Sequence, residues 1–158
     1  MKYIESTLIK DEQVILEPVI HPIVYVKPFI LFGAILMFLL GVGLVEMSID
    51  AWSVILLITC FIIPVFIFWL IYDKLYYTRL EMAVTNKRVV SKTGIISVHS
   101  EELQWNKIES IETRQGILGR LFGYGDVYFS GTGASYVVFP TIREPWQVKS
   151  KSAEILSK

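Results

Sequence analysis

Two stretches of this sequence carry no charged side chain, and they limit what the rest can be. Residues 29–45 read FILFGAILMFLLGVGLV, and residues 52–72 read WSVILLITCFIIPVFIFWLIY, whose polar residues are Ser53 and Thr59. A helix needs about 20 apolar residues to cross a bilayer. A helix buried in a soluble core keeps a polar face, and neither run offers one. The reading is a transmembrane helical hairpin over residues 28–72, with spans at about 28–45 and 52–72. Composition agrees, with 53% of the 158 residues hydrophobic and 19% charged.

The flanks give an orientation. The connection between the runs, residues 46–50, holds Glu46 and Asp50 and no base, whereas Lys27 precedes the first run and Lys74 and Arg79 follow the second. Basic flanks stay in the cytosol, so the expectation is a multi-pass cell (inner) membrane protein with both termini cytosolic. Gly33, Ala34, Gly41 and Gly43 are expected to let the second helix approach the first, and Pro64 to kink the second. Ionisable side chains mark ion and proton paths, and the runs have none. The pair therefore reads as an anchor, with a pore or transporter accessory subunit as a second alternative. The lone cysteine, Cys60, excludes an intrachain disulfide.

Downstream the apolar period drops to two and turn residues recur, the pattern of short antiparallel strands. Strands are expected at residues 79–84, 89–92, 98–105, 107–114, 126–131 and 135–140. Residues 85–88 (Thr-Asn-Lys-Arg) form the first tight turn, and the spacing of Ile108 and Ile111 suggests a bulge in the fourth strand. Pro145 suits the first turn of a final helix, on which Trp146, Lys149, Ala153 and Leu156 share a face. The fold class is α+β: the hairpin, then a small antiparallel β-barrel or pair of orthogonal sheets over residues 73–158, capped by the C-terminal helix. Residues 1–27 form an N-terminal cytosolic segment with strand-like patches cut by Pro18 and Pro22. Two placements stay open for it, against the domain or against the membrane face.

Candidate chemistry is sparse. Residues 115–133, QGILGRLFGYGDVYFSGTG, are rich in glycine, but the dinucleotide pattern G-x-G-x-x-G and the phosphate-loop pattern G-x-x-x-x-G-K-[ST] are both missing. His21 and His99 are the only histidines and have no second ligand at metal spacing. Glu101, Glu102, Glu109 and Glu112 read as a solvated face without a tuned acid–base partner. No catalytic residue, metal site, nucleotide site or cofactor is expected. Bases are the remaining signal. Residues 73–158 hold twelve Lys and Arg against nine Asp and Glu, a surplus of three. The zero net charge of the whole chain gives no field for nucleic acid.

Several of these segments together resemble a known family. VTNKRVVSKTGIIS (residues 84–97), EELQWNKIESIETRQGILGRLFGYGDV (residues 101–127) and FSGTG (residues 129–133) are similar to the bacterial pleckstrin-homology (PH) domain family of small membrane proteins. STLIKDEQVILEPVIHP (residues 6–22) resembles the N-terminal segment of those proteins. The most specific part is Lys107-Ile108-Glu109-Ser110-Ile111 with Leu118-Gly119-Arg120 and Gly123-x-Gly125. The resemblance implies a barrel of two orthogonal sheets with a C-terminal helix, and no catalytic residues. Eukaryotic members of the fold bind phosphoinositides with bases around a long first hairpin loop, whereas here that loop is read as residues 85–88.

The functional expectation is a membrane-anchored, non-catalytic PH-like binding or scaffold module, with a protein partner or a second copy as its ligand and the bilayer as its support. The alternative is anionic lipid-headgroup binding by the basic first hairpin. The residues offered for lipid or partner contact are Lys74, Arg79, Lys87, Arg88, Lys92 and Arg120. The glycine-rich stretch is expected to be a structural corner, a helical turn whose Ile117, Leu118, Leu121 and Phe122 are buried over one end of the barrel while Arg120 points away; the rival reading is that the same apolar face dips into the membrane.

Overall fold

The computed structural model describes residues 2–46 and 49–157. Met47 and Ser48, the middle of the expected acidic connection, lie outside them. The chain divides into two compact units: residues 22–75, and residues 1–21 together with 76–158.

The first unit is a helical hairpin. Helix α2 (Ile23–Glu46) and helix α3 (Ile49–Arg79) enclose the two apolar runs. They extend past the runs because Lys27, Lys74 and Arg79 continue helical periodicity into polar flanks. The stacked rings of Phe32 and Phe66, 3.9 Å between centroids, and the edge contact of Phe29 on Phe66 pack the helices together. Close approach occurs at Gly43, where a Cβ would lie 3.0 Å from Ile55. Gly33 and Gly41, expected to do the same, face nothing within 4 Å.

The second unit holds helix α1 (Lys2–Ser6), strand β1 (Val14–Leu16), and then, beyond the hairpin, β2 (Glu81–Thr85), β3 (Arg88–Thr93), β4 (His99–Gln104), β5 (Ile108–Arg114), helix α4 (Ile117–Phe122), β6 (Tyr124–Gly131), β7 (Tyr136–Arg143) and helix α5 (Pro145–Leu156). Two antiparallel sheets result, ordered β1-β2-β3-β4 and β5-β6-β7. The turn at Asn86 joins β2 to β3, which pair Val84 with Val89. The expected irregularity in β5 is present between Ile108 and Ser110.

Alternation places the core. Along β6 the buried residues are Gly125, Val127, Phe129 and Gly131, and the intervening ones are half-buried. Phe129 packs on Phe139 at 5.1 Å and on Trp105 at 6.5 Å, while Val84, Val89, Val137 and Ile142 are fully enclosed around them. Each such side chain contributes about 1.5–3 kcal/mol when buried. Helix α5 starts with Pro145 in its first turn and covers this core with Val148, backed by Ile155. The face expected from spacing, Trp146, Lys149, Ala153 and Leu156, is mostly the outer one. Trp146 is 60% exposed, because Pro145, Val148 and Ser152 turn inward instead.

The N-terminal segment belongs to the sheets. Val14 pairs with Thr85 and Leu16 with Val84. Three residues on, the amide of Arg143 donates to the carbonyl of Val19 and the amide of His21 to that of Thr141, both at 2.8 Å. The segment thus leaves the edge of the first sheet and ends on the edge of the second. Both edges lose the unpaired backbone groups that make an open edge a liability. The hairpin of α2 and α3 is inserted between the first strand of the barrel and the second.

Candidate functional site

The six basic positions separate into different environments. Lys74 and Arg79 are exposed on the last turns of α3, and Arg120 is exposed on α4. The three bases of the expected lipid-binding hairpin are each engaged elsewhere. Lys87 donates through Nζ to the carbonyl of Lys10 at 2.6 Å, and Lys92, half-buried, pairs with Glu81 at 3.5 Å. Arg88 departs furthest from expectation: it is 8% exposed and points into the unit.

Arg88 is the centre of a lock between the barrel and the N-terminal segment. Its Nε donates to Glu12 Oε1 at 3.0 Å, and its Nη2 to Glu12 Oε2 at 3.2 Å and to the carbonyl of Thr7 at 2.7 Å. Its Nη1 pairs with Glu102. The Glu12 side chain has no exposed surface. It also accepts the Thr85 hydroxyl and the Ile9 amide, each at 2.8 Å. Burial alone would push the Glu12 carboxyl up. The Ile9 amide, the Thr85 hydroxyl and the Arg88 guanidinium outweigh burial and hold it below its ordinary value. Burial would likewise lower Arg88, and its two carboxylates reverse that. Beside this pair, Ile4 from α1 is 1% exposed and packs with Ala83 and Val90. Asn86 adds three bonds, donating to the carbonyls of Gln13 and Asp11 and accepting from the Gln13 amide. Glu12 went unnoticed in sequence as the partner of Arg88 because the two are 76 positions apart.

The glycine-rich corner is a single short helix, but turned the other way from expectation. Ile117 is 88% exposed, Leu121 74%, Leu118 58% and Phe122 53%. The buried residue of α4 is Gly119, where a Cβ would meet the carbonyl oxygen of Tyr124 at 2.6 Å. The barrel admits a glycine at that position and no larger residue, so the large side chains face out. Gly123, at φ 73°, ends the helix in the left-handed region that favours glycine. Gln115 fixes the near end by donating to the carbonyl of Tyr124 at 2.9 Å, and it accepts the indole N–H of Trp146 at 2.8 Å. Trp146 thereby stands beside α4 with its ring exposed, and Lys149 lies 5.7 Å over that ring.

Among the described residues no group of three or more His, Cys, Asp or Glu could hold a metal ion. The glycines shape turns and close approaches between strands. The family model described as bacterial PH domain matches residues 26–154. The chain belongs to the bacterial PH domain family. Neither a curated protein nor a solved structure matches it. The match begins after β1, so the strand that completes this PH domain lies ahead of the matched region. The short hairpin at residues 85–88, read from sequence as the first loop, joins the second and third strands. The connection from the first strand to the second is the whole apolar hairpin.

Proposed function

We propose that this PH domain protein is a membrane-anchored, non-catalytic module at the cytosolic face of the cell membrane, where the barrel offers surfaces to a protein partner or a second copy. The observation that carries the reading is the bare surface of the hairpin. The most apolar window of α3 contains no buried residue, and that of α2 is 11% buried. Helices of 24 and 31 residues are about 36 and 46 Å long at 1.5 Å per residue, enough to cross a hydrocarbon layer of about 30 Å.

Connectivity supports an even number of crossings. β1 precedes the hairpin and β2 follows it, and the two are hydrogen-bonded neighbours, so the chain must return to the side it left. Lys27, Lys74 and Arg79 all lie on that side, which favours the cytosol. The basic hairpin is a poorer lipid ligand than its sequence promised, since Lys87, Arg88 and Lys92 have partners within the unit. The test is alkaline carbonate extraction of membranes from cells expressing the chain. The protein is expected to stay in the pellet, and its release into the supernatant would overturn the anchored reading.

A further inference from the structure

We propose that α4 is a wedge that inserts its apolar face into the interface of an anionic bilayer, docking the barrel on the same membrane that holds the hairpin. The proposal rests on the spanning reading of α2 and α3.

The argument starts from the cost of what is exposed. Ile117, Leu118, Leu121 and Phe122 stand out together on six residues of helix. Soluble monomers seldom leave contiguous apolar patches of more than a few hundred Å² open unless something covers them. The patch cannot fold inward, because Gly119 already fills the inner position against the Tyr124 carbonyl. Gly123 and Gln115 fix the helix at both ends.

The surroundings suit a lipid interface. Arg120 lies on the same helix and Lys149 sits over the exposed Trp146 ring. Arg114 ends β5 just ahead, partnered by Glu112 at 3.1 Å and lying over the Tyr128 ring at 4.4 Å. Two acids lie near α4: Glu144, whose amide donates to the Gly123 carbonyl at 3.0 Å, and Asp126, which accepts the Thr141 amide at 2.7 Å. Tryptophan is an amphipathic ring favoured at the headgroup level. Each base near an anionic leaflet contributes about 1 kcal/mol.

Chain continuity supplies the reach. His21 stacks on Tyr124 with 5.2 Å between ring centroids, and Tyr124 follows α4 by two residues. Helix α2 begins at Ile23, two residues after His21, a span of about 7 Å of extended chain. His21, the last residue of this unit before the apolar hairpin, is therefore held beside the C-terminal end of α4.

The experiment uses the full chain, Cys60→Ala, reconstituted in vesicles of phosphatidylcholine mixed with phosphatidylglycerol. An environment-sensitive fluorophore is placed at Leu121→Cys, and separately at Leu118→Cys. Nitroxide-labelled lipids then report contact. Thr132→Cys is the water-exposed control, at the far end of β6, about 25 Å away by strand rise. Phe38→Cys, 70% exposed in α2, reports the spanning hairpin. The expected result is several-fold stronger lipid quenching at Leu121→Cys and Leu118→Cys than at Thr132→Cys. That excess should weaken in vesicles of phosphatidylcholine alone and with Arg120→Glu plus Lys149→Glu. Quenching at Phe38→Cys with none above the control at Leu121→Cys would sink the wedge and leave the anchor standing. No quenching at Phe38→Cys would sink the anchored reading and the wedge with it. A blue-shifted but unquenched probe at Leu121→Cys would mean that protein covers the patch, and would also overturn the proposal.

Discussion

Residues 76–158 on their own are expected not to fold, whereas residues 1–21 joined by a flexible Gly-Ser linker directly to residue 76 should give a folded, soluble barrel. The difference lies in what the first 21 residues supply. Without them β2 and β7 each lose a neighbour, and the enclosed socket of Ile4 opens, at a cost of about 1.5–3 kcal/mol. The guanidinium of Arg88 would keep one of its two carboxylates. Removing one partner of a buried pair costs about 3–5 kcal/mol. Together these losses approach the roughly 5–15 kcal/mol that stabilises a typical domain. A flexible linker can stand in for the hairpin because, in the barrel, the hairpin connects β1 to β2 and need not do more. Amide dispersion in two-dimensional NMR spectra of the two chains decides it. Equal dispersion from residues 76–158 alone would show that the N-terminal strand is dispensable.

The second large effect is expected at the lock itself. Arg88→Ala in the full chain leaves the unexposed Glu12 carboxylate without its guanidinium and should cost about 3–5 kcal/mol. Arg88→Lys should restore only part of this, since an ammonium cannot fork across Glu12 and Glu102. The readout is hydrogen exchange in β2 and β3 in micelles. Unchanged protection after Arg88→Ala would contradict the lock. The pair also sets a response to acid. Glu12 is held below its ordinary value in the folded chain. Its stabilising contribution is therefore complete above its unfolded value of about 4.3, and is lost as pH falls through the lowered folded value. Protection of β2 and β3 should hold down to about pH 5 and fall below about pH 4, and Arg88→Ala should reduce that slope.

What could be read in the sequence follows from how local each signal is. The apolar runs, the strands of residues 79–140 and the proline that opens α5 all announce themselves within a few residues of chain, and the structure has them. Strand β1 left only a trace. It has three residues, is followed by Pro18, and finds its partner Thr85 across the whole hairpin. No periodicity reports a pairing at that distance. The unread pairing also misplaced Arg88, whose position on a short turn suggested solvent while its partner lay unrecognised at Glu12. The face of α4 failed for a different reason. Spacing showed that Ile117, Leu118, Leu121 and Phe122 share a side, but the same spacing serves a buried face and an exposed one. What decides is Gly119, which is small enough to pack on the Tyr124 carbonyl. On α5 spacing likewise grouped Trp146 with Leu156 without telling which face is buried, and the buried residues are Pro145, Val148 and Ser152.

Strand β1 pairs with β2 across the apolar hairpin, so if the hairpin spans a membrane, as proposed, both ends of the chain lie on one side of it, and the proposal puts that side in the cytosol. Single cysteines in a Cys60→Ala background test it directly, with a membrane-impermeant maleimide applied to intact cells. Ser48→Cys, between the two helices, is expected to label, while Ser6→Cys near the start and Ser157→Cys near the end should label only after the membrane is opened. Labelling of both Ser6→Cys and Ser157→Cys on intact cells, with Ser48→Cys protected, would invert the orientation. Labelling of one end without the other would contradict the interrupted barrel itself, because β1 and β2 could not then meet.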